Sequence, residues 1–227
     1  MEENDIYYKQ IKLFNPHKDF TKIHIYGAGS IGSHVAVGLS KIGINDISIY
    51  DFDIVEEGNV PAQFFALSSK GKKIEELAKI VKEFSGKLLK INDIKIDEDF
   101  KPDLSLNSIH ILAFDNIEAR RVVYNKLKGY PVWLIDGRIG GFDWEKYCLN
   151  LKDGSSLYAK TLEGDFSEAE CGAKCLWPVN SLISSKIVAD VIKITTKRDN
   201  YCYLVKGNLM GETLIIKREI AEDEDES

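Results

Sequence analysis

No lysine or arginine occurs between Tyr50 and Phe65, a stretch that reads YDFDIVEEGNVPAQFF and carries two aspartates, Asp51 and Asp53, near its start. An acidic strand end of this kind suits a nucleotide, and the missing cation bears on which nucleotide and for what chemistry. Other shortages belong to the whole chain of 227 residues. No apolar run approaches the roughly 20 residues of a membrane span, and MEENDIYYKQ is too polar for a secretory signal, so a cytoplasmic protein without membrane contact is expected. Positive charge is scarce: a formal net charge of -6 argues against a general nucleic-acid binder. Part of that excess lies in AEDEDES, residues 221–227, read as a solvated acidic tail. The four cysteines, Cys148, Cys171, Cys175 and Cys202, do not form the two tight pairs of a structural zinc site, so zinc is not expected. A disulfide framework is not expected in a reducing compartment either. Histidines number four, and His24 and His110 fall within predicted strands, where they would be packed.

A hydrophobic content of 44% is that of an ordinary globular domain. Residues 5–14, DIYYKQIKLF, have the spacing of a short amphipathic helix ahead of the turn at Asn15-Pro16. KIHIYGAGSIGSHVAVGLSKIGI reads as strand, glycine loop and helix, with Ile31, Val35, Leu39 and Ile42 at helical spacing. DISIYDFD is a second strand and KKIEELAKIVKEF a second helix, through Ile74, Leu77, Val81 and Phe84. LLKINDIKI, SIHILAFD and PVWLIDGRIGG follow as strands, with NIEARRVVYNKL as a helix before the last of them. Strands alternating with helices imply right-handed crossovers, and so a Rossmann-like α/β fold: a mostly parallel, doubly wound sheet. After residue 140 the pattern changes. FDWEKYCLNL and YCYLVKGNLMGETLIIKREI have strand character and flank a long helix, which predicts an antiparallel C-terminal extension of the sheet. One domain over residues 1–220 is expected, with an arm at 1–20 and the extension and late helix at 141–220.

Gly27, Gly29 and Gly32, spaced as G-x-G-x-x-G, stand directly after a strand and before a helix, the context this motif requires. The segment Gly27, Ala28, Gly29, Ser30, Ile31 and Gly32 is therefore the first candidate binding element. Its glycines allow a tight turn, close approach of phosphate, and close helix–strand packing. The helix N-terminus adds unpaired N–H groups and partial positive charge. Asp51, 24 residues beyond Gly27, stands near where a ribose-binding acid belongs. The loop alone does not separate NAD, FAD, S-adenosylmethionine and ATP.

Further residues in order along the chain narrow the choice. They are Asp51 and Asp53 at a strand end, Asn59 and Gln63 in NVPAQ, Lys73 opening a helix, and the pair Asp115-Asn116 followed by Arg120. With the GAGSIG loop this set resembles the ThiF/MoeB adenylyltransferases, a superfamily that includes the ubiquitin-activating enzymes, over roughly residues 7 to 195. The resemblance implies attack of a carboxylate on the α-phosphate of ATP, giving an acyl-adenylate and pyrophosphate. It implies that Asp51 binds the ribose, Lys73 contacts the phosphates, Asn59 and Gln63 fix the triphosphate, and Asp115 holds Mg²⁺. The carboxylate would be the C-terminal glycine of a ubiquitin-like or sulfur-carrier protein, or a small acid such as a pyridinol carboxylate. The residues agree with such a site in their own right. A lysine in the first helical turn is disfavoured by the dipole unless an anion is present, and Asp115 lies where ligands gather in open α/β sheets. A solvated Lys73 and a helix-capping Asp115 are the plainer readings.

The departures matter as much. Where the family has the arginine of N-x-x-R-Q, this chain has Ala62. The family's Y-x-R-Q-I appears as Tyr8-Lys9-Gln10-Ile11, and the resemblance implies that Lys9 would reach the ATP of a second subunit in a homodimer. Lysine lacks the bidentate fork of arginine. Arg138, in IDGRIGG, is the other candidate to supply the missing charge. Cys171 is a candidate thiol for the acyl group, with Lys174 beside it, or else a structural thiol. Two other classes of function stand against adenylation: an NAD-dependent oxidoreductase, and a nucleotide-binding partner protein without activity.

Overall fold

Every residue of the strands Ile23–Tyr26, Ile47–Tyr50 and Ile109–Leu112 is buried, because helices or loops cover both faces of the sheet there. The computed structural model describes residues 5–19, 21–152, 156–163, 176–197, 203–211 and 213–216. In chain order the elements are β1 (Ile23–Tyr26), α1 (Ser30–Lys41), β2 (Ile47–Tyr50), α2 (Lys73–Ser85), β3 (Lys90–Asn92), β4 (Ile109–Leu112), α3 (Ile117–Leu127) and β5 (Trp133–Gly140). β6 (Asp143–Asn150), α4 (Ser156–Lys160), α5 (Trp177–Thr195), β7 (Tyr203–Asn208) and β8 (Thr213–Ile216) follow. The sheet runs β3-β2-β1-β4-β5-β6-β7-β8. The first five strands are parallel, and β6, β7 and β8 are antiparallel additions. The fold is Rossmann-like with the expected antiparallel extension.

The chain leaves β1 in one direction, toward β2 and β3, and then returns to the other side of β1 to form β4. The order therefore reverses between β1 and β4, the switch point at which open α/β sheets take a ligand beyond the carboxyl ends of their strands. On one face α1, α2 and α5 cover the sheet through Val35, Leu39, Leu77, Ile183 and Ile187. On the other, Val123 and Leu127 of α3, with Tyr158 of α4, pack over Tyr26, Leu112 and Leu134.

The passage from β3 to β4, residues 93–108, contains neither helix nor strand. It lies against the α3 face of the sheet, with Ile96 and Phe100 buried and the Phe100 ring edge-on to Tyr26 and Tyr50 at 5.6 and 5.8 Å. Near it, His24 and His110 stack at 4.8 Å, and both are packed as expected. Tyr50 Oη lies 3.0 Å from His24 Nδ1, and Tyr26 Oη 2.8 Å from His110 Nδ1.

Residues 5–14 form successive turns rather than the predicted helix. Tyr8, Gln10 and Leu13 donate N–H bonds to carbonyls three residues back, and only Phe14 reaches four. Tertiary contact overrides the spacing: the Gln10 amide donates to Ile42 O at 2.7 Å, and Tyr7 and Pro16 close on Gly43. The third predicted strand shortens to Lys90–Asn92. Of the apolar series on α2, Phe84 is exposed.

Candidate functional site at the β1–β4 switch point

The glycine loop begins where β1 ends. Gly27 has φ +101°, and a Cβ there would stand 2.7 Å from Ala113 O, just past β4. Gly32 is tighter still: a Cβ would fall 1.8 Å from Gly27 O, so α1 can lie this close to the loop only with hydrogen at that position. Gly29 is the N-cap of α1 and makes no side-chain cap bond. The Ser33 N–H bonds Gly29 O at 3.0 Å, and the N–H groups ahead of it have no intrahelical acceptor. The geometry is that of an anion-binding helix start.

Asp51, one residue past β2, secures this loop. Its Oδ2 accepts the Ala28 N–H at 2.6 Å and its Oδ1 the Asp53 N–H at 2.8 Å. Asp53 in turn holds the opening of α2. Its carbonyl accepts the Lys73 N–H at 2.9 Å, and its carboxylate pairs with Lys73 Nζ at 2.8 Å. The Lys73 side chain is only 10% exposed. Its awkward place in a first helical turn is thus met by an anion of the protein itself. Asp53 is half-exposed, so the pair stays open to solvent and to a competing anion.

The segment after the cation-poor stretch folds over the start of α1. Asn59 ends a short 3-10 turn, Glu57–Asn59, and its Oδ1 accepts the Glu56 N–H at 3.0 Å. Its carbonyl accepts the Ala62 and Gln63 N–H groups at 3.1 and 2.8 Å. Gln63 Nε2 comes within 4.0 Å of the point where a Cβ on Gly29 would sit. Phe64 N–H donates to Ser33 Oγ at 3.0 Å, and Asn180 Nδ2 of α5 donates to Ala62 O at 2.6 Å.

Past β4, Asp115 is exposed and makes no hydrogen bond or ion pair with the described residues. The cap of α3 is Asn116, whose Oδ1 accepts the Glu118 and Ala119 N–H groups at 2.8 and 3.2 Å. Asp115 is therefore left without the capping role that sequence alone allowed it. Asn116 retains only its Nδ2 for a nucleotide. Among the described residues no three His, Cys, Asp or Glu side chains gather as a metal cage. A lone exposed carboxylate at a strand end nonetheless fits Mg²⁺, which is commonly held by one or two carboxylates together with substrate phosphates.

Arg120, on α3, fixes this corner. It donates from Nη2 to Phe114 O at 2.6 Å and to Gly137 O at 3.0 Å, and from Nε to Asp136 at 2.9 Å. Asp136 is fully buried and also accepts from Arg138 Nε at 2.7 Å and Tyr158 Oη at 2.9 Å. Burial alone would push its carboxyl up, but the two guanidiniums beside it hold it below the usual carboxylate range.

Arg138 belongs to this cluster as well. Its guanidinium is directed to Asp136, to Thr161 Oγ1 at 3.0 Å and to Glu145 at 3.3 Å, over the Tyr147 ring. Asp136 and Glu145 take up its charge there. Lys9 is outside the crevice. The arm that carries it is tied to Ile42, at the far end of the 12-residue α1, about 18 Å along the axis from the glycine loop. Cys171 and its neighbour Lys174 lie outside the described residues, as do Cys175 and Cys202; Cys148 is buried in β6.

The structure thus links the glycine loop, Asp51, Asp53 and Lys73 through hydrogen bonds, sets Gln63 beside Gly29, and leaves Asn59 bonded within its own turn, with Asp115 across the β1–β4 gap. Sequence reasoning passed over Asp136 and Asn180. Asp136 stands two residues before Arg138 on one strand face, and Asn180 forms an i, i+4 polar pair with Ser184 on the buried side of α5.

Fold and loop together define a Rossmann-like domain with a nucleotide-type glycine loop at its switch point. The model of the ThiF family matches residues 17–223, and the chain belongs to that family. Adenylyltransferase and sulfurtransferase MOCS3 of Dictyostelium discoideum is 29% identical over 207 residues, which cover 86% of this chain and 46% of that protein. Ubiquitin-like modifier-activating enzyme 5 of Drosophila pseudoobscura pseudoobscura is 26% identical over 217 residues, covering 92% and 46%. The chain spans about half the length of these curated relatives. Among solved structures, E. coli MccB with ATP has a similar fold at a TM-score of 0.72 and 19% identity, over 96% of this chain and 72% of that one.

Proposed function

We propose that this chain catalyses ATP-dependent adenylation of a carboxylate, with Mg²⁺. The single observation that carries the reading is the bonded set at the switch point, which surrounds the uncapped start of α1 with one acidic residue suited to ribose and one lysine suited to phosphate. Membership of the ThiF family supports it, as do the relatives named for adenylation or for activating ubiquitin-like modifiers. The MccB structure solved with ATP supports the choice of nucleotide.

In this reading Asp51 accepts from the ribose hydroxyls, and the N–H groups at the start of α1 receive the phosphates. Lys73 exchanges part of its pairing with Asp53 for phosphate oxygens, while Asn59 and Gln63 align the chain of phosphates. Asp115 is the residue that would hold Mg²⁺, whose chemistry there is to neutralise charge on the phosphates. An oxygen of the substrate carboxylate attacks the α-phosphorus, the bond from that phosphorus to the bridging oxygen breaks, and pyrophosphate leaves with the electron pair. The nucleophile is already ionised, so the site needs alignment and charge stabilisation rather than a base. Lys9 acts from a second copy of the chain, since its own crevice is out of reach. The substrate is the C-terminal glycine of a ubiquitin-like or sulfur-carrier protein, or a small carboxylic acid.

Exchange of labelled pyrophosphate into ATP, with a panel of small acids and peptides ending in glycine, tests the reaction. One acid that supports exchange establishes it. A protein that binds ATP and exchanges with none favours the second reading, a nucleotide-binding partner without turnover, for which Ala62 and the inward Arg138 speak.

A further inference from the structure

We propose that Asn180 is a positioning residue for the nucleotide site, acting through Gln63; this rests on the reading that the start of α1 binds ATP. Asn180 is wholly buried on α5, on the side of the helix that also buries Val179, Ile183 and Ile187. Its Nδ2 donates to Ala62 O at 2.6 Å, across 118 residues of sequence. A carbonyl only accepts, so the amide orientation is fixed by chemistry, and Oδ1 is the atom left over. Among the described residues that Oδ1 has no partner, and neither has Gln63 Oε1, which is equally shielded. Each is a buried acceptor without a donor among the described residues, a cost that packing alone does not explain.

The geometry gives the reason. Gln63 is held between two tethers, Asn180 on the carbonyl of Ala62 and Ser33 Oγ on the N–H of Phe64. Ser33 belongs to α1 itself, and Ser184, one turn beyond Asn180, bonds Ile31 O at 3.2 Å. The helix start, the Gln63 segment and α5 are thus locked as one unit at a position where the segment has no charged side chain to anchor itself on a phosphate. The tether from α5 fixes Gln63 beside Gly29 before any nucleotide arrives.

Binding of the Mg²⁺ complex of AMPCPP, a non-hydrolysable ATP analogue, is measured by calorimetry for wild type, Gln63→Ala, Asn180→Leu and the double variant. Asn180→Asp, with the same shape and no N–H for Ala62, serves if the leucine variant does not fold. Each single substitution is expected to weaken binding about tenfold, and Gln63→Ala to add less than about twofold once Asn180 is changed. The Gln63 side-chain amide signal in NMR is expected to move in the Asn180 variants without ligand. Equal effects of Gln63→Ala in both backgrounds, or unchanged affinity in a folded Asn180 variant, overturn the inference alone. Wild type that binds no nucleotide overturns the ATP reading, and this inference with it.

Discussion

Replacing Gly32 by alanine measures how closely the helix start must approach the loop. The added Cβ would lie 1.8 Å from Gly27 O, whereas a Cβ essentially never comes nearer than 3.0 Å to such an atom. The difference, 1.2 Å, must come from withdrawal of α1 from β1, against the packing of α1 on α2 and α5. Overpacking of this kind costs about 1–3 kcal/mol of stability. A displacement near 1 Å can slow a positioned reaction about a hundredfold, and a loss of affinity on the same scale is expected here. With ATP at about a hundred times Kd, ligand stabilisation is about 2.7 kcal/mol; a hundredfold weaker Kd reduces it to about 0.4. For a chain of this size each kcal/mol moves Tm by about 2–4 °C, so the ATP-induced shift should shrink by about 5–9 °C. A thermal melt with and without Mg²⁺-ATP reads this. Gly58→Ala is the control, since a Cβ there meets nothing within 4 Å. A folded Gly32→Ala protein with the full ATP shift would refute the reasoning.

Three other outcomes are expected. Lys73→Met should abolish most of the ATP-induced Tm shift, whereas Asp53→Asn, which removes only a half-exposed partner, should change stability by less than about 1 kcal/mol in urea unfolding. Asp136→Asn leaves the buried Arg120 and the partly buried Arg138 without their shared anion and should cost about 3–5 kcal/mol, read by urea unfolding at pH 7. Burial lowers the pKa of His24 to about 4 and of His110 to about 3, with the neighbouring His24 adding to the effect at His110. Both rings are thus neutral when folded and charge first in the unfolded chain. Their contribution is complete above the unfolded value near 6.5 and is lost as pH falls from there toward 4 and 3. Urea unfolding between pH 7 and 4 should show a falling stability whose slope is smaller in His24→Phe; identical slopes would contradict it.

The parallel core was legible because β1, β2 and β4 are short isoleucine-rich segments separated by helical patterns, and G-x-G-x-x-G has one structural context. The antiparallel extension was legible from the change of pattern after Gly140. The N-terminal arm misled because apolar spacing at Tyr7, Ile11 and Phe14 mimics a helix. Its partners are the far residues Ile42 and Gly43, whose contacts with Gln10 and Tyr7 favour turns. The crossover at 93–108 and the five-residue α4 carry too little periodicity to be read. At the site, residue types were legible but partners were not. Lys73 finds its anion in Asp53, Asn116 rather than Asp115 caps α3, and Arg138 turns to Asp136. Each depends on which face a side chain takes and what the fold sets opposite it.

The most direct test is a crystal structure with Mg²⁺ and AMPCPP. The account predicts the ribose on Asp51, the α-phosphate at the N–H groups opening α1, Lys73 drawn from Asp53 toward the phosphates, and Mg²⁺ on Asp115. An empty crevice at saturating nucleotide, or a nucleotide bound with Lys73 still paired only to Asp53 and no metal on Asp115, would contradict it.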